Sequence, residues 1–442
     1  MRRTLIILCL AVVVLMLAGA NPAAAEQRYI VRTSGGLSSV LNLCLSAGCQ
    51  VQGSLDGSVG QTYLVTSTGN LLQALVGGVV NLLEALLGIQ SVEPDRVLPI
   101  PLPSVNNAPY GLTDTALVSY YGSLATHGYA AQTAAAIIRL SDAHQGFGVS
   151  GTGIVAVIDT GVDTTHPVLV PVLLPGYDFT RNQPGASEWL DMPQLQNGTA
   201  QTLQYGVVQQ QSAAILDQQS AAILDGQPCG AFGHGTMTSG LVHLAAPTAK
   251  ILPLKAFSSS GTGYLSNIVA ALYYAVQHGA NIVNMSFDLS TSSPALSQAV
   301  SYANRANVVL VAAAGNESTS ARVYPAAISG SVMGVASTTD WDTRSSFSNY
   351  GSADVWIAAP GEYVISTFPG GGYAAASGTS FSSPLVAGTA ALLLSAKQPM
   401  NQSQAASALS HGRLLTTDLN HGRMDAYQAL SAWKSSGSGW YW

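Results

Sequence analysis

The chain has 442 residues, 48% of them apolar and only 9% charged, with a formal net charge of −6. That length holds two or three domains of the usual ~100 to 200 residues, and that apolar fraction argues against overall disorder. With no Lys/Arg cluster beyond Arg2-Arg3, the surface offers no electrostatic footprint for nucleic acid.

In chain order, the first element reads as an export signal over residues 1–25. Arg2-Arg3 precede the apolar run from Leu5 to Leu17, and small residues ending in Ala23-Ala24-Ala25 lead to Glu26. The run is shorter than the ~20 apolar residues of a spanning helix. Cleavage is expected after Ala25, which leaves no membrane span and a secreted protein, extracellular or periplasmic. Of the four cysteines, Cys9 leaves with the signal, so Cys44, Cys49 and Cys229 meet an oxidising setting. Cys44 and Cys49 are near enough in sequence to bridge, and Cys229 reads as a small packing residue. No Cys-x-x-Cys or His-x-x-x-His spacing points to zinc.

Residues 27–100 carry strand patterns at Tyr29 to Val31 and Tyr63 to Val65, an amphipathic helix from Leu71 to Ile89, and a closing stretch from Ser91 to Leu98. This is expected to be a small α+β domain. Residues 101–130, rich in Pro, Ser, Gly and Asn, read as an exposed linker open to cutting.

Residues 131–433 form the main domain, with a tail at 434–442. Short β-branched runs begin at Ile154, Ile251, Asn281, Val308, Val332 and Val355, with helical stretches such as Tyr264 to His278 and Pro294 to Ala306 between them. Apolar strands alternating with helices imply an α/β fold with a mostly parallel sheet covered on both faces. In such sheets the active site lies beyond the strands' C-terminal ends. An insertion at about 185–229 contains Gln-Gln-Ser-Ala-Ala-Ile-Leu-Asp twice, at 210–217 and 218–225, and reads as a duplicated helical surface segment.

Three short motifs carry chemistry. Asp159 closes the strand Ile154 to Ile158 and precedes Thr160-Gly161; His234 stands between two glycines at the start of a helical stretch; Ser380 lies in Ser377-Gly378-Thr379-Ser380, opening an apolar helix. Each is weak by itself: a strand-end aspartate is ordinarily a cap or turn residue, and a serine before a helix an N-cap. Together they supply a nucleophile, a base to take its proton and a carboxylate to orient the base. The order Asp, His, Ser is one of the known orders of a hydrolytic triad.

These motifs are similar to those of the subtilisin-like serine proteases. Ala313-Ala314-Gly315-Asn316, Phe347-Ser348-Asn349, Ala359-Pro360-Gly361 and Gly422-Arg423-Met424-Asp425-Ala426 extend the resemblance across the main domain. It implies a subtilisin-like three-layer fold and a serine endopeptidase acting through an acyl-enzyme, with Asp159, His234 and Ser380 as triad. Asn316 is then the oxyanion-hole donor, and Ser286, Phe287, Asp288, Ala314, Gly315 and Val323 line the substrate pocket. Residues 27–100 resemble the inhibitory propeptide of such proteases, so the chain is expected to mature by losing it. The implied partners are polypeptide substrates and the chain's own propeptide, with the enzyme a monomer that requires no cofactor. Structural calcium has no support, because Val168 stands after His166-Pro167 where many relatives carry an aspartate. The gap of 75 residues between Asp159 and His234 is long for the family, and Ser286-Phe287-Asp288 replaces its usual Ser-Leu-Gly. The alternative is a non-catalytic or autoinhibited peptide-binding relative, which would call for a broken triad.

Overall fold

The computed structural model describes residues 26–69, 71, 88–100, 110–192, 215–216 and 230–436. The export signal, most of the helix expected from Leu71, residues 101–109, Cys229 and residues 437–442 lie outside them. The chain divides into two compact units, residues 1–96 and 97–442.

In the first unit, strands β1 (Gln27–Thr33), β2 (Cys49–Ser54), β3 (Thr62–Ser67) and β4 (Ile89–Pro94) form one antiparallel sheet in the order β2-β3-β1-β4. Ile89 therefore begins a strand, where the sequence reading continued a helix through it. The helix Gly36–Ala47 turns Val40 and Leu43 onto the sheet, where they meet Tyr29, Val31 and Val65. That helix ends at Gly48, in the left-handed conformation, and the chain reverses at once into β2. The reversal brings the Cα atoms of Cys44 and Cys49 to 4.4 Å, and the two are joined by a disulfide.

This unit closes at Arg96 rather than at residue 100. The reason lies in β5 (Val97–Pro99), which pairs antiparallel with Thr262–Tyr264 of the second unit. The expected linker is also partly structured. Strands β6 (Leu117–Tyr120) and β7 (Ser123–Thr126) form a hairpin around Tyr121-Gly122, both with positive φ, as a two-residue type I′ turn requires. Tyr129 just beyond it is fully buried and donates its hydroxyl to the Gly240 carbonyl at 2.7 Å. The Pro- and Asn-rich composition hid a Tyr-Gly turn flanked by β-forming residues.

The second unit is built on an eight-stranded sheet. Its strands are β8 (Ile154–Asp159), β9 (Tyr177–Asp178), β10 (Gln183–Pro184), β12 (Lys250–Lys255), β14 (Ile282–Met285), β15 (Val309–Ala313), β16 (Met333–Thr338) and β17 (Ile357–Pro360), in the order β10-β9-β12-β8-β14-β15-β16-β17. All neighbours pair in parallel except β9 with β10. Chain order runs from β8 to β12 on one side and to β14 on the other, so the crevice where the order switches opens at the end of β8, at Asp159. Every residue of β14 to β17 is buried, as the continuous apolar runs require.

Strand β13 (Thr262–Tyr264) carries β5, and β18 (Val364–Phe368) and β19 (Gly372–Ala376) form a hairpin. Within the duplicated insertion, Ile215–Leu216 is described, and it is a strand, β11, parallel to β19, not helix. Two apolar residues in a row fit either period, and pairing with an available edge decided between them. The helix Thr379–Ala396 is long and apolar enough to cross a membrane, but 89% of it is buried inside the protein, which makes it the core helix of this unit.

Candidate active site

Asp159 ends β8, and its Oδ1 lies 2.7 Å from Nδ1 of His234. Both side chains are almost fully buried. The same carboxylate accepts from the Thr160 amide at 2.7 Å and from the Thr238 hydroxyl at 3.1 Å. Donors therefore hold both of its oxygens, and Nδ1 of His234 is the donor in the third bond.

His234 is the first residue of the helix His234–Ala245. The helix can begin this near the end of β8 because its second residue is Gly235. A Cβ at that position would stand 2.1 Å from the Gly161 carbonyl oxygen, far inside contact distance. On its other side the imidazole packs against the Phe381 ring, with centroids 5.2 Å apart. Nε2 is buried with no hydrogen-bond partner among the described residues, an arrangement that otherwise costs a polar group about 1 to 3 kcal/mol.

Ser380 is the second residue of the helix Thr379–Ala396 and is fully buried. Its hydroxyl donates to the Ser286 carbonyl at 3.2 Å, and its own carbonyl accepts from the Ser286 hydroxyl at 2.8 Å. The end of β14 thus fixes the start of this helix from both directions. Backbone amides in a first helical turn have no intrahelical acceptor, and the dipole there favours an anion.

Asn316 follows β15. Its Oδ1 accepts from the Thr379 amide and the Thr379 hydroxyl, each at 2.9 Å. Two donors on Oδ1 fix the orientation of the amide and turn Nδ2 away from Thr379. That Nδ2 is buried without a partner among the described residues.

The residues expected at the substrate pocket separate into two groups. The Phe287 ring is buried against Phe257, the Ser286 hydroxyl is engaged with Ser380, and Ala314 and Val323 are buried. Polar atoms instead converge on Gly315, whose φ is +96°. A Cβ there would lie 2.3 Å from Asn349 Nδ2, 2.7 Å from Glu317 Oε2 and 3.2 Å from Asp288 Oδ2. Asn349 donates to Glu317 at 2.8 Å, while Asp288 Oδ2 has no partner among the described residues. Burial, and then the negative charge of Glu317, push the Asp288 carboxyl up to about 7.

One group that sequence reading missed stands behind the His–Asp pair. Glu188 is fully buried and accepts hydrogen bonds from the hydroxyls of Thr160 and Thr236, and from the Gly235 amide at 3.2 Å. Among the described residues no group of three or more His, Cys, Asp or Glu is placed to hold a metal ion.

Residues 151–428 match the model of the subtilase family, and the chain belongs to that family. Thermitase from Thermoactinomyces vulgaris is 34% identical over 288 residues, covering 62% of this chain and 88% of thermitase. Subtilisin Savinase from Lederbergia lenta is 33% identical over 256 residues, covering 56% of this chain and 78% of that protein. The crystal structure of a lanthipeptide protease superposes with a TM-score of 0.54 at 24% identity, over 68% of this chain and 95% of that one, and shares the fold. The protein is thus a subtilisin-like serine protease.

Proposed function

We propose that this serine endopeptidase cuts its substrates with Asp159, His234 and Ser380 as the catalytic triad and Asn316 in the oxyanion hole. The observation that carries this reading is the pair of buried, unpartnered nitrogens, His234 Nε2 and Asn316 Nδ2, beside the helix that begins at Thr379. Ser380 Oγ leaves the Ser286 carbonyl, attacks the scissile carbonyl and passes its proton to His234 Nε2. The imidazolium, steadied by Asp159, then protonates the leaving amine, and a water repeats the sequence on the acyl-enzyme. The negative oxygen of each tetrahedral intermediate takes hydrogen bonds from Asn316 Nδ2 and the Ser380 amide. Casein hydrolysis by purified protein, abolished by a serine-directed fluorophosphonate that labels Ser380, tests the assignment; label on another serine would overturn it. The peptide-binding alternative finds no broken triad member to support it.

An amide donor held in place before charge develops contributes about 100-fold to 1000-fold in rate. Asn316→Ala is therefore expected to lower kcat by that factor with KM nearly constant. Steady-state kinetics on a peptide anilide read the split, and a rise in KM with kcat intact would remove Asn316 from the oxyanion hole.

We also read the protein as secreted and as matured by loss of residues up to about 100. The Arg2-Arg3 and apolar N-terminus support export. The separate core and sheet of the first unit support a removable domain. So does β5, because extended backbone added to a strand edge is how peptide chains bind to sheets.

For the residue before the scissile bond, Asp288 and Glu317 converging on Gly315 beside Asn316 favour a cationic side chain. Each charge-assisted hydrogen bond contributes roughly 1.5 to 3 kcal/mol. Peptides with Arg or Lys at that position are expected to be cleaved at least as well as matched Phe peptides. Because the Asp288 carboxyl is raised to about 7, it gains its charge as pH rises through that value. The Arg-to-Phe ratio of kcat/KM should climb between pH 6 and pH 8, to an extent on the order of tenfold. Asp288→Gly should flatten the climb, and an unchanged ratio in that variant would remove Asp288 from the pocket.

A further inference from the structure

Glu188 opens the short turn Glu188–Asp191 near the start of the long insertion and belongs to no motif of the triad. Its carboxylate ties together the two segments that carry Asp159 and His234. On one side it takes the hydroxyl of Thr160, the residue after Asp159; on the other it takes the hydroxyl of Thr236 and the amide of Gly235, the two residues after His234. Gly235 also donates to Thr160 Oγ1 at 2.9 Å, and Thr236 Oγ1 accepts from the Asp163 amide at 2.7 Å, so both hydroxyls are held at fixed angles.

The turn that bears Glu188 is itself anchored. Asp191 receives Lys255 Nζ at 2.6 Å, and Lys255 spends its other two contacts on the carbonyls of Thr160 and Phe257. Arg181 binds the second oxygen of Asp191 at 2.5 Å. Lys255 is fully buried at the end of β12, directly opposite Asp159 in register.

We propose that Glu188 is a positioning residue for the triad: its carboxylate clamps Thr160 to Gly235-Thr236 and thereby sets the distance and angle of the Asp159–His234 hydrogen bond. The proposal rests on the triad reading above. Three donors reach it, so the side chain serves the clamp as an acceptor. Burial raises its affinity for a proton, which the two threonine hydrogen bonds and the charge of Lys255 oppose. The charged groups that face it are Lys255 from β12 and Asp159 from β8.

The clamp predicts effects that a merely structural carboxylate would not have. A misplacement of about 1 Å at a catalytic group costs on the order of a hundredfold in rate. In protein purified from the full chain and folded by circular dichroism, Glu188→Gln is expected to lower kcat tenfold to a hundredfold with KM within about twofold. Thr236→Val should lower kcat in the same way and Thr236→Ser should restore it, because serine keeps the hydroxyl. The low-field Nδ1 proton resonance of His234 should move in Glu188→Gln and Thr236→Val and stay in Thr236→Ser. A kcat within threefold of wild type and an unmoved Nδ1 proton resonance in Glu188→Gln would overturn the proposal. If that variant does not fold, equal kcat for Thr236→Val and Thr236→Ser would do so. Ser380→Ala run alongside separates the two levels, since full activity in that variant would overturn the triad reading itself.

Discussion

Ser380→Ala is expected to accumulate as an uncut chain beginning near Glu26, with peptidase activity reduced on the order of a million-fold. The size of the loss follows from the concerted nature of the triad. Without Oγ there is no attacking atom, and an intact Asp159–His234 pair has no proton to accept. The substitution removes one oxygen that, among the described residues, hydrogen-bonds only the Ser286 carbonyl, while the return bond from the Ser286 hydroxyl to the Ser380 backbone stays. The fold should therefore survive, and a change in melting temperature of no more than a few degrees would agree with that. Intact mass and N-terminal sequencing of the purified variant check the outcome. A mutant that matures alone at the wild-type rate would take the nucleophile's role from Ser380.

The triad candidates were legible because each lies at the end of an element, where a short motif reports its own surroundings. Asp159 closes an apolar run, and His234 and Ser380 open helical patterns. The parallel sheet was legible for the same reason, since β8, β14, β15 and β16 are uninterrupted apolar runs with helices between them. What escaped depends on partners distant in sequence. Nothing around Glu188 marks it, because its donors sit 28 and 48 residues away at Thr160 and Thr236 and meet only once β8 and the His234 helix have packed. Composition misled at 110–130, where the buried Tyr129 hydroxyl finds its acceptor 111 residues on, at Gly240. Asp288 was legible as a departure from the family, but the convergence of its Oδ2 and Glu317 on Gly315 forms only once β14 and β15 lie side by side.

The second large effect concerns the hydrogen bond that every other feature of the site supports. Asp159 accepts from the Thr160 amide, the Thr238 hydroxyl and Nδ1 of His234. In Asp159→Asn one of these three meets an amide N–H instead of an oxygen. The Thr160 amide and Nδ1 of His234 both bond Oδ1, and Thr238 alone bonds Oδ2, so with the carbonyl oxygen kept against Thr160 the new NH2 takes the Oδ2 place and faces Thr238. The threonine hydroxyl can rotate to accept. Nδ1 of His234 keeps an oxygen acceptor and its proton, so Nε2 stays open to the proton of Ser380. The tautomer survives, but no carboxylate charge remains to stabilise the imidazolium. A loss in kcat on the order of a thousandfold is expected from removing the charged partner of a buried pair, with KM nearly constant because the Asp159 side chain is almost fully buried against His234. Thr238→Val, which removes a donor and leaves the tautomer alone, should cost less than about tenfold. Single-turnover acylation by a fluorophosphonate measures both variants on the same step. Asp159→Asn acylating within tenfold of wild type would show that the imidazolium of His234 does not depend on the Asp159 charge, and Thr238→Val losing as much as Asp159→Asn would show that packing at this position matters more than that charge.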